Sequence, residues 1–273
     1  MFFDSKGFME DGIMIAVEGL TYGIDRYLIL DNVDFRVTKG ETLVIMGPSG
    51  CGKSTLLRLI AGLIPPLAGR IYLGGREVVY RDRPSQVWAK PRLGMLFQSA
   101  ALFDSLTVGE NVAFGLRRLG GFTEPEIRGI VREKLAIVGL PGEEVPSKMP
   151  AELSGGMKKR VGLARAIAID PEIILYDEPT TGLDPIMSNI INNMIRHLQK
   201  TLQVTSLVVT HDLNCATMVG DMLSLLYGGS ILEMETCDKF LKSESRVVRQ
   251  FLKGEAEGPI SAGGGDLSNA DDF

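Results

Sequence analysis

Long apolar runs are missing from this 273-residue chain: none reaches the ~18 residues that a membrane-spanning helix requires. If the protein works at a membrane, another chain must hold it there. The N-terminus carries Asp4, Glu10 and Asp11, with no basic segment followed by a long apolar one, so no secretory signal is expected. Cysteine is scarce. The three present (Cys51, Cys215, Cys237) are odd in number and far apart, which argues against a disulfide framework and suits a reducing compartment. Excess positive charge is also lacking: 29 Lys and Arg against 34 Asp and Glu leave a net charge of −5, which disfavours recognition of nucleic acid by bulk electrostatics. No internal repeat is visible, so a functional site is expected once per chain.

What is present is an ordinary globular composition, 45% hydrophobic and 23% charged, long enough for a sizeable core. Strand-like and helix-like stretches alternate, which predicts an α/β fold with a mainly parallel sheet. Thr42 to Met46 is an apolar run ending in Gly47. A helix is expected to continue through Leu56 to Leu63, until Pro65 and Pro66 stop it. Ile13 to Leu20, Leu28 to Val37 and Ile71 to Val79 resemble shorter strands of an antiparallel layer, and Leu93 to Phe97 is a further strand. Between about 99 and 153 the character turns helical. Two capping boxes, Thr107 with Glu110 and Thr123 with Glu126, each open an amphipathic stretch, the pattern of an inserted helical subdomain. Strands return at Ile173 to Tyr176, Ser206 to Thr210, Met222 to Leu226 and Ile231 to Met234. Beyond Gly254 the composition shifts to Gly, Ala, Ser and Asp, and 261–273 are expected to be disordered.

Three strings carry chemistry. Gly47 to Ser54 spells G-x-x-x-x-G-K-S between a buried strand and a helix, the setting of a phosphate loop. With Gly at about 7% of average usage, chance produces such a string in roughly one chain per hundred of this length. The residues Gly47, Pro48, Ser49, Gly50, Cys51, Gly52, Lys53, Ser54 and Thr55 are therefore candidate ATP contacts. Glycines let the backbone wrap the β-phosphate, helix-start amides donate to its oxygens, Lys53 adds a point charge and Ser54 a hydroxyl for Mg²⁺. Asp177 and Glu178 end the apolar run Ile-Ile-Leu-Tyr, where acids meet a ligand in an open α/β sheet. Asp177 is placed to hold magnesium, and Glu178 to polarise an attacking water as general base. Finally, Ser154-Gly155-Gly156 opens a helix, with Ser154 as N-cap and two glycines exposing amides at the positive end of the dipole. A second anion site makes sense if it serves the γ-phosphate held by another copy.

This set resembles the nucleotide-binding subunit of ABC transporters over about 13–253, with 13–98 and 154–240 as core and β layer, 99–153 as helical subdomain and 254–273 as a tail. The resemblance implies an ABC ATPase fold, a P-loop NTPase (RecA-like) core with an antiparallel β layer and a helical insertion. It also implies further roles. Tyr22 matches the aromatic that stacks on adenine. Gln98 matches the glutamine that links the metal site to the membrane partner. Asp184 matches the acid of the loop crossing the dimer interface, and His211, one of only two histidines, matches the γ-phosphate contact; His197 is read as lying on a solvated helix face. One residue departs: many ABC signatures have Gln where Met157 stands here, and methionine cannot make that hydrogen bond to the nucleotide.

Longer strings sharpen the resemblance. Phe97 to Phe114, Glu152 to Pro185, Gln250 to Gly254 and Glu257 to Ile260 are similar to the ATPases of bacterial Mla/Mce lipid-transport systems. That likeness implies a homodimer closing on two ATP, a multi-span permease, an MCE-domain lipid-binding protein and room for a small regulatory subunit. Its place would be the cytoplasmic face of the bacterial inner membrane, held through the permease, with Leu102, Phe103, Leu106 and Val108 either presenting the coupling surface or filling the subdomain's own core. An ATPase of a small-solute importer remains an alternative, as does a soluble ABC ATPase outside transport. The segment from Val247 to Ile260 exceeds a minimal cassette, and is expected to lie across the partner copy with Phe251 and Leu252 as anchors. Substrate and direction are not encoded here, because the cargo contacts lie in the partner chains.

Overall fold

The structure, a computed structural model, describes residues 12–79 and 93–260; the tail expected at 261–273 lies outside the described residues. In chain order the elements are β1 (Ile13–Ile24), β2 (Tyr27–Thr38), β3 (Thr42–Met46), α1 (Lys53–Ile60), β4 (Ala68–Leu73), β5 (Arg76–Glu77), β6 (Leu93–Leu96), α2 (Val108–Leu119), α3 (Glu124–Ile137), α4 (Gly155–Ile167), β7 (Ile173–Asp177), α5 (Pro185–Leu202), β8 (Thr205–Thr210), α6 (Leu213–Val219), β9 (Met222–Tyr227), β10 (Ser230–Thr236), α7 (Cys237–Phe240) and α8 (Arg246–Lys253). The chain divides into two compact units, one holding the described residues 12–79 and 209–260, the other 93–208.

The first unit contains an antiparallel sheet in the order β2-β1-β4-β5. It also holds the strands β10, β9 and β3 in that order, β10 antiparallel to β9 and β3 parallel to it. All five residues of β3 are buried. That fits a strand covered on both faces, which reads as an unbroken apolar run and not an alternating one. Each fully buried Val, Leu or Ile of such a strand stabilises the fold by about 1.5–3 kcal/mol. The turn after β9 is tied to β2 by Asp31 N donating to the Gly229 carbonyl at 2.9 Å and Ser230 Oγ donating to the Asp31 carbonyl at 3.0 Å.

In the second unit β8, β7 and β6 are neighbours, β6 and β7 running parallel. Every residue of β7 and of β8 is buried. Helix α4 packs on β6 and against α2, α3 and α5. Gly94 permits its close approach, because a Cβ there would stand 2.5 Å from the Ala166 carbonyl oxygen. The expected capping boxes are made: Glu110 N donates to Thr107 Oγ1 at 3.2 Å while Thr107 N donates to Glu110 Oε2 at 2.7 Å. At α3, Thr123 N donates to Glu126 Oε2 at 2.7 Å. The loop entering α2 is knotted by Asn111, fully buried. Its amide donates to the carbonyls of Phe103, Leu106 and Thr107, and its oxygen accepts from Phe103 N.

Candidate functional site

In the first unit β3 delivers the chain into the loop Gly47–Gly52, and α1 starts at Lys53. Gly52 is the N-cap residue at φ 105°, a left-handed backbone that L side chains avoid. A Cβ there would stand 2.9 Å from Ile29 Cγ2. Having no side chain, Gly52 cannot cap α1, which leaves the capping of that helix start to the backbone or to an anion. Lys53 is buried, and its ammonium donates to the carbonyls of Gly47 at 2.7 Å and Pro48 at 2.8 Å, so the charge is held against the loop itself. Cys51 N closes the turn on the Pro48 carbonyl at 3.4 Å. Ser54 and Thr55 are half-buried in the first turn. Left-handed glycine backbone, a helix start without a side-chain cap and an inward-held lysine fit a polyphosphate anion. Tyr22 sits on β1 opposite Leu30, half-buried near the exposed hairpin tip, and His211 is exposed where β8 ends.

In the second unit β7 ends on Asp177, 4% exposed, followed by Glu178, 7% exposed. Glu178 adopts φ 46°, uncommon for a residue with a side chain. Backbone in such a region costs about 1–3 kcal/mol, and persists where the surroundings over-determine it. Those surroundings are specific: Thr181 Oγ1 donates to Glu178 Oε2 at 3.1 Å, and Thr181 N donates to its carbonyl at 3.3 Å. Gln98, exposed two residues past β6, leads into Ala100 and Ala101, both left-handed at φ 61° and 45°. Arg165 of α4 holds that bend, donating to the carbonyls of Ala100 and Ala101 at 2.7 Å each; burial pushes the Arg165 pKa down.

Ser154 is the N-cap of α4 as anticipated, its Oγ accepting from Met157 N at 3.3 Å. The signature glycines lie beside Leu183 and Met187, the residues that bracket Asp184 and the start of α5. Asp184 itself caps α5, its Oδ1 accepting from Ile186 N at 2.9 Å and Met187 N at 3.0 Å. Two groups of predicted residues are thus brought together inside this unit: Gln98 with Glu178, through a lysine, and Ser154–Gly156 with the Asp184 turn.

That lysine was missed in the sequence. Lys159 is 4% exposed and donates to the Gln98 carbonyl at 2.5 Å and the Glu178 carbonyl at 3.1 Å. The basic run Lys158-Lys159-Arg160 resembles a solvated face, yet Lys159 falls in helical phase with the buried Gly156, Leu163 and Ala166. Of the four residues considered for the coupling surface, Val108 is fully buried and belongs to the core, whereas Phe103 is 43% exposed and packs against Phe114 with ring centroids 4.7 Å apart. His197 is exposed on α5 as expected. In α8 the buried residues are Val247, Val248 and Gln250, while Phe251 and Leu252 are half-buried. The segment after α8 folds back on its own unit: Ile260 N donates to Gln250 Oε1 at 2.6 Å, Gln250 Nε2 donates to the Ile260 carbonyl at 3.0 Å, and Tyr227 OH donates to the Pro259 carbonyl at 3.0 Å.

Comparison with known proteins gives the family and the fold. Residues 30–181 match the family described as ABC transporter. The chain is 42% identical to the intermembrane phospholipid transport system ATP-binding protein MlaF of Haemophilus influenzae, over 90% of this chain and 93% of that one. It is 41% identical to the probable ribonucleotide transport ATP-binding protein mkl of Mycobacterium tuberculosis, over 91% of this chain and 69% of that one. Among solved structures, a dimeric ATP-binding cassette in a post-hydrolysis state with ADP and Pi superposes with a TM-score of 0.74 at 32% identity, covering 82% of this chain and 98% of that one. The fold is that of an ABC ATPase cassette.

Proposed function

We propose, since the chain belongs to the ABC transporter family, that this ATP-hydrolysing subunit drives a membrane permease moving phospholipid or a related lipid between membranes. Membership makes the chain an ATPase; the cargo, the residue roles and the partners are our assignments. The lipid reading rests on the extent of likeness to MlaF, which spans nearly the whole of both chains. The match to the mycobacterial relative, named for ribonucleotide transport, covers a smaller share of that protein.

In this reading the Gly47–Thr55 loop binds the ATP phosphates, Lys53 adds the charge and Tyr22 stacks on the adenine. Glu178 accepts a proton from the attacking water, with its carboxylate oriented by Thr181. His211 contacts the γ-phosphate. Ser154, Gly155, Gly156 and Asp184 act on the nucleotide held by a second copy, as in a homodimer. Among the described residues no group of three His, Cys, Asp or Glu forms a metal cluster. A donor set of one hydroxyl, one amide and one carboxylate (Ser54, Gln98, Asp177) suits Mg²⁺, which keeps waters and phosphate oxygens in its shell. When bound, that ion would supply charge neutralisation at the phosphates.

No described helix is long and apolar enough to cross a membrane. From the likeness to MlaF we place the subunit at the cytoplasmic face of the bacterial inner membrane through its permease, in company with an MCE-domain lipid-binding protein. Affinity purification of the tagged chain at native expression, in mild detergent, should recover a multi-span permease, an MCE-domain protein and bound phospholipid. Recovery of a permease with a solute-binding protein and no lipid would move the function to small-solute import.

A further inference from the structure

We propose that Lys159 is a positioning residue for hydrolysis: its buried ammonium ties the Gln98 loop to the backbone carbonyl of Glu178, holding that residue in its strained backbone conformation. The proposal rests on the assignment of Glu178 as general base made above.

Three observations converge on Lys159. Its Nζ joins two backbone carbonyls that are 80 residues apart in sequence, those of Gln98 and Glu178, at 2.5 and 3.1 Å. Both tied segments carry left-handed backbone in residues with side chains: Glu178 at φ 46°, and Ala100 and Ala101 at φ 61° and 45°. Strain of this kind relaxes unless neighbours hold it, and charge-assisted hydrogen bonds are about twice as strong as neutral ones. The third observation is the platform. Helix α4 lies close on β6, and its Arg165 clamps the carbonyls of Ala100 and Ala101. Lys159 therefore projects from a helix already fastened to the Gln98 loop, and reaches the acid from there.

A lysine suits this task. An ammonium on a four-carbon stem serves two carbonyl acceptors that approach from different directions, and its stem fills buried space. ATP binding has its own lysine, Lys53, whose ammonium holds the carbonyls of Gly47 and Pro48. What changes on removing Lys159 is where the Glu178 carboxylate points. A displacement of about 1 Å at a reacting group costs up to roughly 10²-fold in rate.

The test is steady-state ATPase kinetics on the full chain with ATP and Mg²⁺. Lys159→Met keeps most of the stem volume and removes the donors. It should lower kcat by about 10- to 100-fold with KM for ATP within about 2-fold. Lys159→Arg, which restores charge and donors, should recover most of the rate. In a Glu178→Gln background, Lys159→Met should add little, because the group it positions has lost its basicity. The proposal is overturned if Lys159→Met leaves kcat intact, if KM and thermal stability deteriorate together with kcat, or if its full factor persists on Glu178→Gln. Near-native turnover by Glu178→Gln alone would instead remove the base assignment, and this proposal with it.

Discussion

Glu178→Gln is expected to cut ATP turnover by about 10²–10⁴-fold, the usual worth of a positioned general base, while ATP still binds. The substitution is close to isosteric. The amide oxygen can still accept from Thr181 Oγ1, which holds the acid at 3.1 Å, and the Lys159 bond goes to the backbone carbonyl, which the change does not touch. The unusual φ of 46° is equally open to glutamine. The negative charge and the basicity are lost, while the size and shape of the side chain are kept. Binding should persist, because Lys53 and its bonds to the Gly47 and Pro48 carbonyls are kept. A dimer closed on ATP should therefore accumulate and appear in analytical ultracentrifugation as an ATP-dependent doubling of mass. Hydrolysis at the native rate would remove Glu178 from its role.

Lys53→Ala is expected to fail at the opposite step. At 4 Å and an effective dielectric near 20, a lysine–phosphate charge pair is worth of order 4 kcal/mol before desolvation is subtracted. If about 2–3 kcal/mol survives, the Kd for ATP rises roughly 30- to 150-fold. The variant also loses the two bonds by which the ammonium holds the Gly47 and Pro48 carbonyls, so the loop loses order as well as charge. Fluorescent-nucleotide titration separates the two variants: Glu178→Gln keeps a near-native Kd, whereas Lys53→Ala binds roughly 30- to 150-fold more weakly. Tight ATP binding by Lys53→Ala would contradict the assignment.

The parts of this chain that were legible in its sequence are those where one physical requirement dominates. β3, β7 and β8 are buried throughout, so their apolar runs announced them. Thr107 and Thr123 sit in capping boxes because a helix start needs those residue types at that spacing. The phosphate loop was visible for the same reason: close backbone approach and left-handed turns demand glycine. Strand ends were less legible. β1 continues to Ile24, beyond the expected Leu20, through a bulged hairpin whose pairing with β2 and β4 no local pattern reveals. The helix after the phosphate loop begins at Lys53 and ends at Ile60, short of the expected Leu63.

Lys159 and Arg165 were not legible as site residues, because their partners are backbone carbonyls of distant loops, and a carbonyl has no residue type to recognise. Asn111 was hidden likewise: its four bonds all go to the main chain. The fold-back of 254–260 is tied by a buried glutamine, Gln250, and by the Tyr227 hydroxyl, polar side chains that sequence reading passes over in favour of the apolar Phe251 and Leu252.

The central claim is that ATP hydrolysis by this chain moves lipid. Its most direct test reconstitutes the purified complex into phospholipid vesicles and follows a fluorescent phospholipid as it leaves or enters the donor membrane, with and without ATP. Our account predicts ATP-dependent transfer that stops when Glu178→Gln replaces the native subunit. ATP hydrolysis that proceeds with no movement of phospholipid, and is instead stimulated by a soluble solute-binding protein, would contradict it.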